Sequence, residues 1–324
     1  MGESRLNNMK HLYGWDILGH DRIIAELEKE IASGNVSHAY LFAGPDQVGK
    51  FSVARTMAHI LQCEGRYCHD CHVCREIDRG CHADTIEIID NGDSIKIEEI
   101  RDIIARLHMS GGSPYKILLI QNIERMPVEA ANAMLKTLED PPEGVLFLLT
   151  TDRVKDILPT IISRVRVYNF QKIPERKILE LLQSLYPLAD TDLLTRTASY
   201  AMGRPGRAVN YMREPLLLEQ ARKMYNDISL FVKKPDRVNE FVYVAELVKT
   251  AQEAQSDRPI KDFLDTFAAV LRQKLLEGAD GSDEADSAAQ KRLAAMIREI
   301  MLARDLLKRN VNTRLLLENL MLHL

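Results

Sequence analysis

The stretch Gly44-Pro45-Asp46-Gln47-Val48-Gly49-Lys50-Phe51 decides the fold of this chain, because it is most of a phosphate-binding loop. In such a loop Gly44 and Gly49 belong to a turn between a strand and a helix, where successive backbone N–H groups point at a phosphate. Lys50 adds a positive charge that reaches the outer phosphates. The preceding run is apolar and of strand type, and the following apolar residues recur at helical spacing. These flanks favour a nucleotide-binding loop over an ordinary loop with chance glycines.

Three positions depart from the pattern of an ATP-hydrolysing site. Phe51 occupies the place of the Ser or Thr that holds magnesium, and the buried-type strand at 116–120 leads into Gln121 and Asn122, where carboxylates are expected. An amide binds a divalent cation weakly and cannot act as a base near neutral pH. Two acids lie nearby in the sequence without ending the strand: Asp90 and Glu124. We therefore expect a fold built for ATP that has no intrinsic ATPase activity.

Four of the five cysteines fall in the pattern Cys63-x4-Cys68-x2-Cys71-x2-Cys74. Thiolates at this spacing can turn back onto one tetrahedral zinc ion, and a reducing compartment favours a metal site over disulfides. Free thiols are the alternative, and His69 or His72 can replace one ligand. Four sulfur ligands leave no open coordination position, so the sequence predicts a structural zinc site and not a catalytic one.

Composition limits the class of protein. The chain has 324 residues, 46% of them hydrophobic, and a net charge of -4, which fits two or three domains and excludes a strongly basic, autonomous DNA-binding protein. No apolar run is long enough for a membrane span, and the first residues lack the pattern of a secretion signal. We therefore expect a cytoplasmic protein without a membrane partner.

The order of the patterns predicts three domains. Strand and helix patterns alternate over residues 1–172, as in a parallel α/β sheet with crossover helices. Residues 173–213 are predicted to form a small helical lid, and residues 214–324 an all-helical domain. Thr150 and Thr151 end a buried-type strand, where they lie beside an outer phosphate or simply reflect strand propensity.

Together, several motifs resemble those of the delta-prime subunits of bacterial DNA polymerase III clamp loaders, a family of AAA+ proteins. Besides the phosphate loop and the cysteine cluster they are Trp15-Asp16-Ile17-Leu18-Gly19-His20, Ser37-His38-Ala39-Tyr40-Leu41-Phe42, Leu135-Lys136-Thr137-Leu138-Glu139-Asp140-Pro141-Pro142, Ser163-Arg164, Gly203-Arg204-Pro205-Gly206-Arg207-Ala208 and, more weakly, Arg309-Asn310-Val311-Asn312. The resemblance covers the first two thirds of the chain in the order of the family. It implies an AAA+ domain, a lid and a C-terminal collar that packs in a ring.

The resemblance also implies roles for two arginines. Arg164 corresponds to the arginine finger that reaches the outer phosphate of ATP in a neighbouring subunit, where a guanidinium stabilises the transition state. Spacing alone would make it a surface charge, and Arg166 is the nearest alternative. Arg207 resembles the arginine by which the lid senses a nucleotide, although an arginine that packs at a helix start fits equally well.

As a function, the resemblance implies a subunit that assembles with gamma/tau and delta subunits to load a sliding clamp on primed DNA. Its degenerate loop would bind ATP or ADP weakly or not at all. The alternative is an active AAA+ motor subunit of the gamma/tau type. A zinc-dependent nucleic-acid-binding module is a third hypothesis, which the acidic net charge disfavours.

Overall fold

The computed structural model of the chain describes residues 11–15, 17–90, 96–109, 111–277, 284–307 and 311–322. Asp16, Arg309 and Asn310 of the motifs above lie outside the described residues. The chain divides into two compact units, Met1–Arg213 and Glu214–Leu324. Among the described residues, no helix combines the length and the apolar character that a membrane crossing requires.

The first unit is built on a parallel sheet, which has five strands among the described residues. The strands are β1 (Ala39–Ala43), β2 (Thr85–Ile88), β3 (Lys116–Ile120), β4 (Val145–Thr151) and β5 (Arg166–Asn169). They lie in the order β2-β3-β4-β1-β5. Ala43 pairs with Thr151, so the ends of β1 and β4 meet at the carboxyl edge of the sheet, where the phosphate loop begins.

Helices cover both faces of this sheet. They are α1 (Asp21–Ser33), α2 (Lys50–Gln62), α3 (His72–Asp78), α4 (Ile97–Leu107), α5 (Val128–Glu139) and α6 (Pro159–Ile162). Because successive strand residues point to opposite faces, Leu41 joins the core against α4 and α5, whereas Tyr40 and Phe42 join the core against α1 and α2. The continuous apolar strand runs of the sequence arise from this two-sided burial.

A small helical bundle completes the first unit. It contains α7 (Glu175–Leu185), α8 (Thr191–Tyr200) and α9 (Pro205–Arg213), which pack around Ile178, Leu182, Leu194 and Ala198. The Asp190 carboxylate accepts a hydrogen bond of 3.3 Å from the backbone N–H of Leu193 and so caps α8.

The second unit consists of helices throughout its described residues. They are α10 (Pro215–Lys233), α11 (Arg237–Glu253), α12 (Arg258–Glu277), α13 (Glu284–Leu306) and α14 (Thr313–Leu322). Their core centres on Phe263, Phe267 and Leu271 of α12. The predicted fold class is confirmed: a parallel-sheet α/β domain with a cysteine insertion, a small helical bundle and an all-helical C-terminal part.

Candidate nucleotide site and cysteine cluster

The phosphate loop joins β1 to the first residue of α2 and requires both of its glycines. Gly44 has a φ of 150°, and a Cβ atom there would overlap the carbonyl oxygen of Phe170. Gly49 has a φ of 103° and is the N-cap residue of α2. The first N–H groups of that helix have no partner within the helix, so the loop and the helix dipole together offer donors to an anion.

Lys50 lies inside the loop and is only 6% exposed. Its Nζ donates hydrogen bonds to the carbonyl oxygens of Gly44 at 2.8 Å and Pro45 at 2.5 Å. Burial lowers the pKa of Lys50, while the charges of Asp152, Asp46 and Glu124 act in the opposite direction. The charges of three acids therefore act on the lysine, in addition to its hydrogen bonds with the loop.

The two amides that follow β3 contact a different acid. The side-chain oxygen of Gln121 accepts a 3.2 Å hydrogen bond from the backbone N–H of Asp90, and the Asn122 amide donates to the Asp90 carboxylate at 2.7 Å. Arg125 also pairs with Asp90, at 2.6 Å. These amides fix the segment after β2 against the end of β3.

Glu124 and Asp152 form the acidic pair that lies within electrostatic reach of Lys50. The Glu124 side chain is 1% exposed, and one of its oxygens accepts a 3.3 Å hydrogen bond from the Asp152 backbone N–H. Arg153 Nε lies 3.8 Å from the Oε1 atom of Glu124. Burial, followed by the hydrogen bond and charge of the Asp152 carboxyl, raises the pKa of Glu124 to about 7. A carboxyl group with this pKa can accept a proton near neutral pH.

No motif in the sequence marks this pair. Glu124 comes two residues after the amide Asn122, and Asp152 follows directly after β4. The only signal was the occurrence of one acid just beyond each of two adjacent strands, because such strand ends meet at one edge of a parallel sheet.

Both threonines at the end of β4 are buried and hold backbone groups in place. The Thr150 hydroxyl accepts from the N–H of Asn122 at 3.1 Å, and the Thr151 hydroxyl accepts from the N–H of Arg153 at 2.9 Å. The Thr150 hydroxyl thus links the end of β4 to the end of β3, and the Thr151 hydroxyl holds the turn that follows β4.

The start of α9 packs directly on the loop. The backbone N–H of Gly206 donates to the Gln47 carbonyl at 2.9 Å, and Arg207 Nε donates to the Gln47 side chain at 3.3 Å. Arg204 is completely buried and pairs with Asp46 at 3.3 Å. The structure therefore brings Arg207 together with the loop that carries Gly44, Gly49 and Lys50. It adds Arg204, which was not predicted as a site residue.

Arg164 lies between α6 and β5, and its side chain is 31% exposed. Its guanidinium donates to the Thr160 carbonyl at 2.8 Å, to the Ser163 hydroxyl at 3.1 Å and to the Glu139 carboxylate. By contrast, Arg166 pairs with Glu30 at 2.7 Å, in the network that joins α1 to β5. Arg164 is thus held near the surface by contacts that solvent or an anion can replace.

The four predicted cysteines converge, with all sulfur atoms within 4.8 Å of one another. The Cys63 sulfur lies 3.6 Å from those of Cys68 and Cys71. Tetrahedral zinc with bonds of about 2.3 Å requires sulfur atoms about 3.8 Å apart, so this donor set fits zinc. Burial alone would raise the pKa of Cys63, but N–H groups of Cys68 and Tyr67 and the adjacent thiols together lower it to about 6.

The fifth cysteine, Cys81, and the two histidines His69 and His72 lie in different contacts. Cys81 donates to the carbonyl of Glu76, and His72 pairs with Glu76 at 3.0 Å. The His69 ring packs on Tyr67 with ring centres 3.9 Å apart. The structure therefore assembles a four-sulfur cluster without a histidine.

The C-terminal end of α2 leads into the cysteine cluster. Arg55 donates to the carbonyls of Ile77 at 2.7 Å and Asp78 at 3.0 Å, which end α3. One turn later His59 lies 3.2 Å from the Asp78 carboxylate, and one further turn brings Cys63. Since Lys50 begins the same helix, the phosphate loop and the cluster are attached to opposite ends of α2.

The chain is similar in sequence to subunits of DNA polymerase III. A family model described as DNA polymerase III, delta subunit, matches residues 19–174. The gamma subunit of DNA polymerase III from Buchnera aphidicola subsp. Acyrthosiphon pisum is 35% identical over 215 residues, which are 64% of this chain and 59% of the relative. The tau subunit from Bacillus subtilis is 32% identical over 267 residues, 80% of this chain and 46% of the relative. The chain thus spans about half the length of these curated relatives.

Among solved structures, a DNA polymerase III gamma subunit-related protein from Thermotoga maritima has a TM-score of 0.46 and 20% identity, covering 92% of this chain and 98% of that protein.

These relatives are gamma and tau subunits of DNA polymerase III, so they do not support the delta-prime type specifically. They also contradict the expectation that the chain has no intrinsic ATPase activity, because the matched relatives are gamma and tau subunits, the type of the alternative hypothesis. The physical reason for the error lies in the strand end. The expectation was argued from Phe51, Gln121 and Asn122, whereas in the folded chain the charges of Glu124 and Asp152 act on Lys50.

Proposed function

We propose that this chain is a clamp-loader subunit of the gamma/tau type in DNA polymerase III. It would bind ATP in the phosphate loop and hydrolyse it, in the cytoplasm, while the complex loads a sliding clamp on primed DNA. The observation that carries the proposal is the acidic pair Glu124 and Asp152, which lies just beyond β3 and β4, at the edge of the sheet where the phosphate loop begins, and whose charges act on Lys50. The gamma and tau relatives give it independent support.

The residues of the site have distinct tasks in this proposal. Loop N–H groups and Lys50 hold the outer phosphates and neutralise their charge. Glu124, with a pKa near 7, accepts the proton of the attacking water. Phe51 packs against the core on the α2 face and offers no hydroxyl group for magnesium. We therefore expect slow turnover.

The helical parts and the cysteine cluster have supporting roles. We assign the lid to residues 173–213 and the collar, which would contact other subunits, to residues 214–324. The four cysteines would hold a structural zinc, as the sulfur separations of 3.6 Å support.

Arg164 would act on ATP bound by a neighbouring subunit. Its partly exposed guanidinium needs only to exchange the exposed Glu139 carboxylate for a phosphate oxygen. In the assembled complex, Arg164→Ala should lower hydrolysis by the neighbour roughly 1,000-fold with assembly unchanged. Arg176→Ala, on the exposed surface of α7, is the matched control and should have no effect.

A second candidate is a delta-prime-like position in the same complex. The amides of Gln121 and Asn122, bound to Asp90, favour it, since no carboxylate occupies these two positions after β3. In that position Arg164 would be the main contribution of the chain to catalysis.

The two candidates are separated by measuring ATP hydrolysis in a complex whose other phosphate-loop lysines are replaced by alanine. The gamma/tau proposal predicts that this complex still shows DNA-stimulated ATP hydrolysis, carried out by this chain. Lys50→Ala should lower that hydrolysis at least about 100-fold. If such a complex assembles but shows no hydrolysis above the Lys50→Ala background, the gamma/tau proposal is wrong. Mass spectrometry of the native protein gives the zinc content in the same preparation.

A further inference from the structure

The phosphate loop contains an acid that pairs with a buried arginine. Asp46 is the third residue of the loop, and its carboxylate lies 3.3 Å from an Nη atom of Arg204. The two partners differ in exposure: the Asp46 side chain is 44% exposed, whereas that of Arg204 is 0% exposed. The carboxylate can therefore turn into water, but the guanidinium cannot.

Backbone contacts keep Arg204 beside the loop. The Ile173 N–H donates to the Gly203 carbonyl at 2.8 Å, and the Gly206 N–H donates to the Gln47 carbonyl at 2.9 Å. A Cβ atom at Gly206 would lie 3.0 Å from that same carbonyl oxygen, so this approach depends on glycine. Arg204 is thus fixed between two anchored glycines.

Asp46 and Arg204 belong to the same electrostatic site as Lys50. After the effect of burial, Asp46 raises the pKa of Lys50 and Arg204 lowers it, which places both charges near the lysine ammonium group. An anion held by Lys50 therefore feels the attraction of Arg204 and the repulsion of Asp46.

We propose that Asp46 competes with phosphate for Arg204. Arg204 is then a second cation of the loop, and the Asp46 carboxylate pairs with it until a nucleotide phosphate replaces the carboxylate. This inference rests on nucleotide binding in the proposed function. A buried guanidinium must keep an anionic partner, because a desolvated charge without one is strongly destabilising. Phosphate oxygens satisfy the same donors as a carboxylate, and the exposed Asp46 is free to move away.

The test is the affinity of the full chain for ADP, measured by isothermal titration calorimetry. Removal of one negative charge beside the bound phosphates should make Asp46→Asn bind ADP roughly tenfold more tightly than the unmodified chain. Asp192→Asn, which removes an exposed acid in α8, is the control and should leave the affinity unchanged. Thermal unfolding of each variant verifies the fold.

Arg204→Lys, alone and combined with Asp46→Asn, tests whether the tighter ADP binding of Asp46→Asn depends on the arginine. Because lysine keeps the charge but loses the planar donor fork, the gain should fall to less than threefold in the Arg204→Lys background. A full tenfold gain in that background would show general charge repulsion and overturn the role of Arg204.

Failure of the inference differs from failure of the proposed function. If the unmodified chain binds ADP in a Lys50-dependent manner and Asp46→Asn binds no more tightly, the competitor role of Asp46 is wrong while the nucleotide site stands. If no folded variant binds ADP, the proposed function is wrong and the inference falls with it.

Discussion

Replacement of Glu124 by glutamine should stabilise the first unit at alkaline pH. The pKa of this carboxyl rises from its ordinary value of 4.5 to about 7 in the folded chain, chiefly because it is buried. The folded state therefore binds more protons than the unfolded state between these two values, so stability falls as the pH rises through this window. The raised pKa lowers the free energy of unfolding by about 3 kcal/mol above pH 8, and this effect vanishes below about pH 4.5.

Glu124→Gln removes this cost because an amide stays neutral at every pH. The assay is urea unfolding followed by the fluorescence of Trp15, the single tryptophan, which is buried in the first unit. The variant should gain up to about 3 kcal/mol at pH 8 and much less at pH 5. Glu129→Gln, at an exposed position of α5, is the control. Equal stability of Glu124→Gln and the unmodified chain at pH 8 would refute the claim that Glu124 is buried and charged in the folded chain at that pH.

Three other changes test separate parts of the molecule. Gly44→Ala should destabilise the first unit by more than about 2 kcal/mol, because its Cβ meets the Phe170 carbonyl; an unchanged Trp15 unfolding midpoint would contradict this. Cys68→Ser with Cys71→Ser should abolish stoichiometric zinc in native mass spectrometry, and a fully loaded double variant would refute the site. Arg55→Met should release zinc to a chelating dye faster than the unmodified chain; equal rates would remove Arg55 from the support of the cluster.

The sequence predicted the sheet and the cysteine cluster because both depend on local patterns. Buried parallel strands are continuous apolar runs, as at Lys116–Ile120, and cysteines separated by two to four residues necessarily lie close together. The same holds for the phosphate loop, whose glycines and lysine are adjacent in the chain. For these parts, neighbours in sequence are neighbours in space.

Contacts between distant segments could not be predicted in this way. Glu124 meets Asp152 only because β3 and β4 are adjacent and in a particular register. The pairing of Arg204 with Asp46 depends on how the start of α9 approaches the loop. The expectation of an inert site failed for this reason, since it was argued from Phe51, Gln121 and Asn122 and omitted Asp152, the acid that follows the next strand.

The most direct test of the proposed function is single-turnover hydrolysis of γ-labelled ATP by Glu124→Gln in the complex whose other loop lysines are replaced. The account predicts that the variant retains nucleotide binding, as shown by filter retention of labelled ATP, but hydrolyses it about 100-fold more slowly than the unmodified chain at pH 8. Equal rates for the two proteins would contradict the assignment of Glu124 as the base.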